Sequence, residues 1–502
     1  MKKFHKAATL MLAAAMAATA FAGCGDNGGS SNSGSSTNST GGSSAASGET
    51  VALTAAFPGQ ESNGQAAVLE AVNKAAQADG VNVTVTVKFL DDYWNKLALA
   101  VAGGESYDIA WAHSSTLSDL VSKKVYQPID EALQSNGQDL LANTPDYVLK
   151  GGTVNEKVYA LPRVIPMTAF NNTWNIRGDI REKYNIPEIK TIEDLEAYFD
   201  AILANEPDMY AIVGSNMQPM YPVYADYYFP IGDGGVNPVY IDPTDSSYTV
   251  KSFWDSEAFT KVCEKRKEWY DKGYLPVDSS NLESEDTGFD YGMVGCVAAN
   301  LMRASERIDT FLTNVPDGKI ETVLLEPETR HIYMAGDNML AVPSTSKHVN
   351  EAVAFINWFK KDQENYDLWS YGVEGTNYTL TDGAVDVSAT AEANIYSMNT
   401  WMWNDIRLAR FSANYPKEDI ETLKTWDEGA DVTPFVGFTV DQSKIKSQIS
   451  QVTAVMNEYA QNLGKGVTDI NEVRDEIMEK MNAAGLQDII TEVQAQVDAY
   501  VK

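Results

Sequence analysis

Cysteine and histidine are scarce in this chain of 502 residues, which holds three Cys and four His. So few exclude a disulfide scaffold and leave little material for a Cys/His metal centre, so packing alone must hold the fold. Basic residues are also short: 38 Lys and Arg stand against 70 Asp and Glu, for a net charge of −32. Nucleic acid or an anionic surface would be repelled rather than drawn in. Four motifs are missing: a Gly-x-Ser-x-Gly elbow, a His-Glu-x-x-His pair, a Gly-x-x-x-x-Gly-Lys loop, and a Gly-x-Gly-x-x-Gly turn after a strand. Gly232-Asp233-Gly234-Gly235 is a loop with no phosphate-binding helix behind it, and His113 and His331 belong to no obvious Cys/His or Ser/His catalytic motif. A glycosidase needs two carboxylates about 5–9.5 Å apart, but among 70 acidic residues some pair is always available. What is present is 44% hydrophobic and 10% aromatic content. That excludes disorder of the whole chain and is enough for two or more lobes, since single cores stop growing near ~250–300 residues.

The first residues address the compartment. Lys2, Lys3 and Lys6 precede an apolar stretch over 7–22, shorter than the roughly 20 residues a membrane span needs, so the segment reads as an export signal. Phe21-Ala22-Gly23-Cys24 resembles the lipobox of bacterial lipoproteins, with Phe where Leu is usual. The resemblance implies a signal peptide over 1–23 and a diacylglyceryl thioether on Cys24 as the mature N-terminus. Of the 26 residues from Gly25 to Thr50, 22 are Gly, Ser, Asn or Thr, the composition of a flexible tether.

From Val51 the chain alternates. An apolar run to Phe57, helical spacing over 66–78, an alternating run over 81–89 and a short apolar run over 107–112 predict a parallel α/β sheet. Its ligand crevice lies at the carboxyl ends of the strands, where Gln60 and Glu61 follow the first strand and Trp111 ends the third. Strands are expected over 292–299, 319–325 and 339–343. Thr191-Ile192-Glu193-Asp194 has the pattern of a capping box, and a helix is expected over 255–272 and another after Ser344-Thr345-Ser346, with Ala352, Phe355, Ile356 and Phe359 on one face. Cys263 and Cys296 fall in a helix and a buried strand, as inert thiols. Apolar residues at helical spacing from Val452 onward predict C-terminal amphipathic helices.

Several stretches then match one family in order. They are Asp91-Asp92-Tyr93-Trp94 with Gly103-Gly104-Glu105-Ser106-Tyr107-Asp108, Val158-Tyr159-Ala160-Leu161-Pro162, Trp269-Tyr270-Asp271-Lys272-Gly273, Ser346-Lys347, and Tyr371-Gly372-Val373-Glu374-Gly375. The chain resembles the extracellular solute-binding lipoproteins of carbohydrate ABC importers, in the branch with a C-terminal helical domain of unknown function. The resemblance implies an α/β fold of two lobes, of the type II periplasmic-binding-protein kind, with hinge crossovers and extra C-terminal helices. The expected division is 24–50 tether, 51–165 plus about 300–345 lobe one, 166–299 plus about 346–440 lobe two, and 441–502 C-terminal helices. It also implies a monomer on the extracellular face, held by its lipid anchor. The expected partners are a sugar and a separate permease, with no cofactor and no chemistry.

A sugar cleft needs flat aromatics with a polar rim. The candidates are Trp111, Trp174, Trp401, Trp403 and Tyr371, with Arg163, Glu374, Asp337, Asn338, Gln60 and Glu61 as polar groups. Trp401-Met402-Trp403-Asn404-Asp405 is the sharpest of these signals. If Trp403 touches ligand, Trp403→Ala abolishes ligand-induced stabilisation and leaves the empty protein's melting point nearly unchanged. Tyr221, Tyr224, Asp226, Tyr227 and Tyr228 form a second aromatic patch, either cleft wall or loop packing. The spread of aromatics favours an oligosaccharide; a peptide or polyamine cargo, a polysaccharide adhesin and an anchored glycosidase stay open as alternatives.

Overall fold

The structure is a computed structural model that describes residues 49–168, 173–224, 227–232, 236–282, 284–325, 331–332 and 335–501. Cys24 with its leader and tether, and Asp226, lie outside the described residues.

Two sheets organise the chain. In the first, strands lie in the order Val83–Phe89, Val51–Phe57, Ile109–His113, Asn338–Ala341, Ala160–Pro162. The first three run parallel, and Asn338–Ala341 is antiparallel to both its neighbours. Val83–Phe89 alternates Val with Thr and Lys because it is an edge strand, covered on one face only. Val51–Phe57 sits inside the sheet and buries Ala55, Ala56 and Phe57. The second sheet has the order Ile320–Leu324, Thr173–Arg177, Val294–Ala299, Tyr210–Ile212. Thr173–Arg177 is antiparallel to both neighbours, while Val294–Ala299 and Tyr210–Ile212 are parallel.

Each sheet carries helices on both faces. Helices Gln65–Ala78, Val349–Phe359 and Gln363–Ser370 close one face of the first sheet, and Tyr93–Ala102 and Ser114–Ser122 the other. Helix Ile192–Asn205 starts at the expected capping box, in which Asp194 N donates to Thr191 Oγ1 and Asp194 accepts from Thr191 N. With Glu257–Asp271 it packs on the second sheet, together with C-terminal helices Lys446–Gly464, Ile470–Ala483 and Leu486–Tyr500. Cys263 and Cys296 are buried there as free thiols. No helix among the described residues is long and apolar enough to cross a membrane.

The lobe boundaries differ from the expected ones. Residues 320–324 pair in the second sheet, not the first, and the helices of 349–370 pack on the first sheet, not the second. Periodicity marks each element but says nothing about which sheet it joins, since that pairing is non-local. The chain crosses between lobes after Pro162, between Leu324 and Asn338, and beyond Asn404. Val164, Ile165, Met167, Ile332, Ala335 and Ile406 from these three crossings share one apolar cluster.

Trp403 belongs to the first-lobe core. It is 1% exposed, with ring centroids 5.6 Å from Phe57 and Trp369 and 6.2 Å from Phe359, and its Nε1 donates to Ser370 Oγ. Such enclosure reverses the mutational outcome expected of a ligand residue. Trp403→Ala is expected to lower unfolding free energy by ~3–5 kcal/mol through the cavity it leaves. Urea denaturation of the empty protein checks this, and an unchanged midpoint would return Trp403 to the ligand surface.

Candidate functional site

Because Asn338–Ala341 runs antiparallel to its neighbours, its first residue lies beside the last residue of Ile109–His113, with Asn338 opposite His113. Pro162, the last residue of the strand on its other side, pairs with Met339. One edge of the first sheet therefore gathers Trp111, His113, Arg163, Asp337 and Asn338. Arg163 and Asp337 form a bidentate pair, with Nε to Oδ1 and Nη2 to Oδ2 both at 2.6 Å, inside the protein. Asn338 Nδ2 donates to Asp337 Oδ2 at 2.7 Å, and Trp111 Nε1 donates to Asn338 Oδ1 at 2.8 Å. Arg163 Nη1 also donates to the main-chain carbonyl of Trp401 at 3.2 Å. Five of the residues singled out in the sequence thus form one connected unit.

The aromatic part of that unit has three half-buried indoles. Trp94 and Trp111 lie 4.3 Å apart at 37°, and Trp111 meets Trp401 edge-on at 5.1 Å and 83°. Tyr93 supports them from beneath, packed 5.2 Å from both Trp94 and Trp111, with its hydroxyl donating to Trp111 O at 2.8 Å and to Ala56 O at 3.1 Å. Trp94 lies in the Asp91-Asp92-Tyr93-Trp94 motif and is not among the aromatic candidates read from the sequence. Helix Tyr93–Ala102 buries Tyr93, Leu97 and Val101, and a Trp one residue off that stripe is the local signal that would have found it.

The other candidates fall in different places. Gln60 and Glu61 are exposed at the same edge, in a loop tied to the 394–401 segment by Asn399 Nδ2 donating to Pro58 O. Tyr371 is half-buried, its hydroxyl donating to Arg410 O and accepting from Arg410 N. Glu374 is exposed on a turn closed by Gly375 N donating to Tyr378 O. Trp174 is 1% exposed within the second-lobe core, edge-on to Trp269, so as placed it presents no face to a solute. Of the second aromatic patch, Tyr221 and Tyr228 are likewise core residues.

Two cavities meet at helix Arg303–Asn314, which belongs to the second lobe. One, of about 220 Å³, lies at the carboxyl end of Val294–Ala299 and is lined by Asn216, Asp286, Asn300 and Arg303 among others. The other, of about 200 Å³, lies between Met302, Ser305 and Glu306 on one side and Tyr371, Thr400 and Asn404 on the other. Burial pushes the Glu306 carboxyl up; Arg163 and Arg303 oppose the rise, and Asp337 adds to it. Glu306 lines that second cavity across from Thr400 and Asn404 and feels the charges of Arg163 and Asp337, so the start of the second-lobe helix lies beside first-lobe residues.

Two α/β sheets with their own helix layers, joined by three crossings, with a polar cavity on the second and an aromatic group on the first, are the architecture of a two-lobe binding protein. The chain belongs to the family described as bacterial extracellular solute-binding protein, which its residues 70–400 match. Residues 434–502 match a separate domain of unknown function. A relative from Streptococcus pneumoniae serotype 4, named carbohydrate ABC transporter substrate-binding protein, is 24% identical over 422 residues, covering 82% of this chain and 83% of the relative. Among solved structures, the N-glycan transport solute-binding protein of Streptococcus pneumoniae superposes with a TM-score of 0.74 at 20% identity, over 90% of this chain and 99% of that one. A solute-binding protein of Bifidobacterium longum infantis that binds HMO superposes with a TM-score of 0.64 at 15% identity, over 90% and 99%.

Burial opposes ionisation of Asp337, but the adjacent Arg163 charge and the hydrogen bonds from Arg163 and Asn338 outweigh it and hold the carboxyl below its ordinary value. The resulting stability is complete above about pH 4 and is lost as pH falls through the lower folded value. Asp337→Asn removes the bidentate counter-charge of the buried Arg163 guanidinium and is expected to remove ~3–5 kcal/mol at neutral pH. It should also flatten the loss of stability as pH falls from neutral into the acid range below about pH 4. Denaturant titrations at both ends of that range check it; a variant as stable as the parent at neutral pH rejects the pairing.

Proposed function

We propose that this chain is the membrane-anchored receptor of a carbohydrate ABC importer. It captures an oligosaccharide between its lobes and passes it to a separate permease, making and breaking no bond. The observation that carries this is the group of Trp94, Trp111 and Trp401 at the carboxyl edge of the first sheet, tied through Asn338 and Arg163 to the buried pair whose charges reach Glu306 of the second-lobe helix. Sugar rings offer C–H faces to aromatic planes and hydroxyls to amides, carboxylates and guanidinium groups. Trp94, Trp111 and Trp401 supply the planes, and Asn216, Asp286, Asn300 and Arg303 the polar rim. Arg163, Asp337 and Asn338 sit behind the rings and hold them. The named cargo class of the pneumococcal relative, and glycan binding by the proteins of similar fold, support the same reading. Cys24 carries the anchor, and the Gly/Ser-rich stretch after it tethers the body outside the cell.

Closure follows from differential contact. A solute shifts the open and closed populations only by as much as it binds the closed state better, so it must touch both lobes. Thermal-shift screening against high-mannose N-glycan, milk and malto-oligosaccharides tests the cargo, since a ligand at 100 times its Kd adds about 2.7 kcal/mol. The expected result is a shift with at least one oligosaccharide and no new reducing ends after prolonged incubation. Trp94→Ala and Trp111→Ala should each weaken that binding by about 10-fold or more, or ~1.4 kcal/mol. Product release at an appreciable rate, or a shift with polyamine or peptide alone, overturns the proposal.

A further inference from the structure

Arg266, in helix Glu257–Asp271, is 1% exposed, yet it carries a charge. Burial draws its pKa down to about 10, so the guanidinium stays ionised at neutral pH. Its donors reach two main-chain carbonyls from distant parts of the chain. Nε donates to Gly464 O at 2.5 Å, at the last residue of helix Lys446–Gly464, and Nη2 donates to Gly214 O at 2.6 Å, in the loop leaving Tyr210–Ile212. Contacts at these points are too close for side chains. A Cβ on Gly464 would meet Ser215 O at 2.2 Å, and one on Gly214 would meet Glu285 Oε1 at 1.6 Å. The start of the turn after helix Lys446–Gly464 therefore rests backbone on backbone against residues 214–215, and Glu285 rests on the same loop.

The next residues in each case are cavity residues. Asn216 and Pro219 follow Ser215, Asp286 follows Glu285, and all three line the polar cavity at the carboxyl end of Val294–Ala299. Apolar packing of Val452, Met456, Ile477, Ile489 and Val493 into the second-lobe core would be enough to stabilise the C-terminal helices. A buried guanidinium adds little net stability, but it fixes the register of the carbonyls it joins. We infer that the C-terminal helical domain is a brace that sets the second-lobe wall of the solute site. Arg266 is its positioning residue, joining the Gly464 turn to the loop that carries Asn216. The inference rests on the cavity being part of the solute cleft.

The full-length protein tests it with a matched pair. Gly464→Ala pushes on Ser215 directly, whereas Leu463→Ala weakens the same helix by removing a fully buried side chain one position away. Both lower stability; only the first should act on the site. In the ligand-free protein, Gly464→Ala is expected to speed amide hydrogen exchange at 214–218 and 285–288 by about 10-fold, with Leu463→Ala within about twofold of the parent there. Calorimetric titration with a high-mannose N-glycan should show Gly464→Ala about 10-fold weaker and Leu463→Ala unchanged. Arg266→Met should repeat the Gly464→Ala pattern, and Arg266→Lys should restore part of it. Exchange and affinity that follow lost stability equally in both variants overturn the brace, as does a Gly464→Ala protein unchanged in exchange. If the glycan fails to bind the parent, the cargo proposal is at fault, and exchange alone decides the brace.

Discussion

One buried ion pair, Arg163 with Asp337, stands at the point where the first sheet ends and the chain leaves for the second lobe. Each partner is the immediate neighbour of a strand terminus: Arg163 follows Pro162, and Asp337 precedes Asn338. They meet only because Asn338–Ala341 is antiparallel to the strands on either side. A parallel strand in that position would put Asp337 at the opposite edge and break the bidentate pair inside the protein, which is strongly destabilising. From this pair the site follows outward: Asn338 is oriented by Asp337, the Trp111 indole by Asn338, and the Trp401 main chain by Arg163. The first hinge crossing starts at the same place, since Val164 bridges to Asp405 and its carbonyl accepts from Ile406 N. Ring orientation and hinge geometry therefore share one support.

Local order was legible in the residues, and long-range pairing was not. The strand Val51–Phe57, the capping box at Thr191 and the outer C-terminal helices stand where hydrophobic period and capping chemistry place them. Sheet membership of 320–324 and of the 349–370 helices depended on contacts between residues far apart in sequence, which no local pattern reports. The site shows the same division. Trp401 and Trp403 look equivalent in the sequence, yet the short turn Thr400–Met402 leaves Trp401 half-buried beside Trp111 and drives Trp403 into the core. A 3₁₀ turn of three residues has no period to read. Trp94 was visible as an off-stripe aromatic, but its importance comes from Trp111, a strand away.

The polar chemistry of the first-lobe unit is largely directed inward. The Trp111 indole N–H is engaged by Asn338, and both Asp337 oxygens accept from Arg163. What the rings retain for a solute is their faces. The second-lobe cavity is of the other kind, with Asn300, Arg303 and Asp286 around it. A wholly apolar solute would leave those groups desolvated and unpaired, and a wholly polar one would gain nothing from the indoles. Only a molecule with an apolar face and a hydrogen-bonding rim satisfies both lobes at once. In the proposed receptor, closure needs that double satisfaction, because a solute indifferent to one lobe has no free energy with which to draw the halves together.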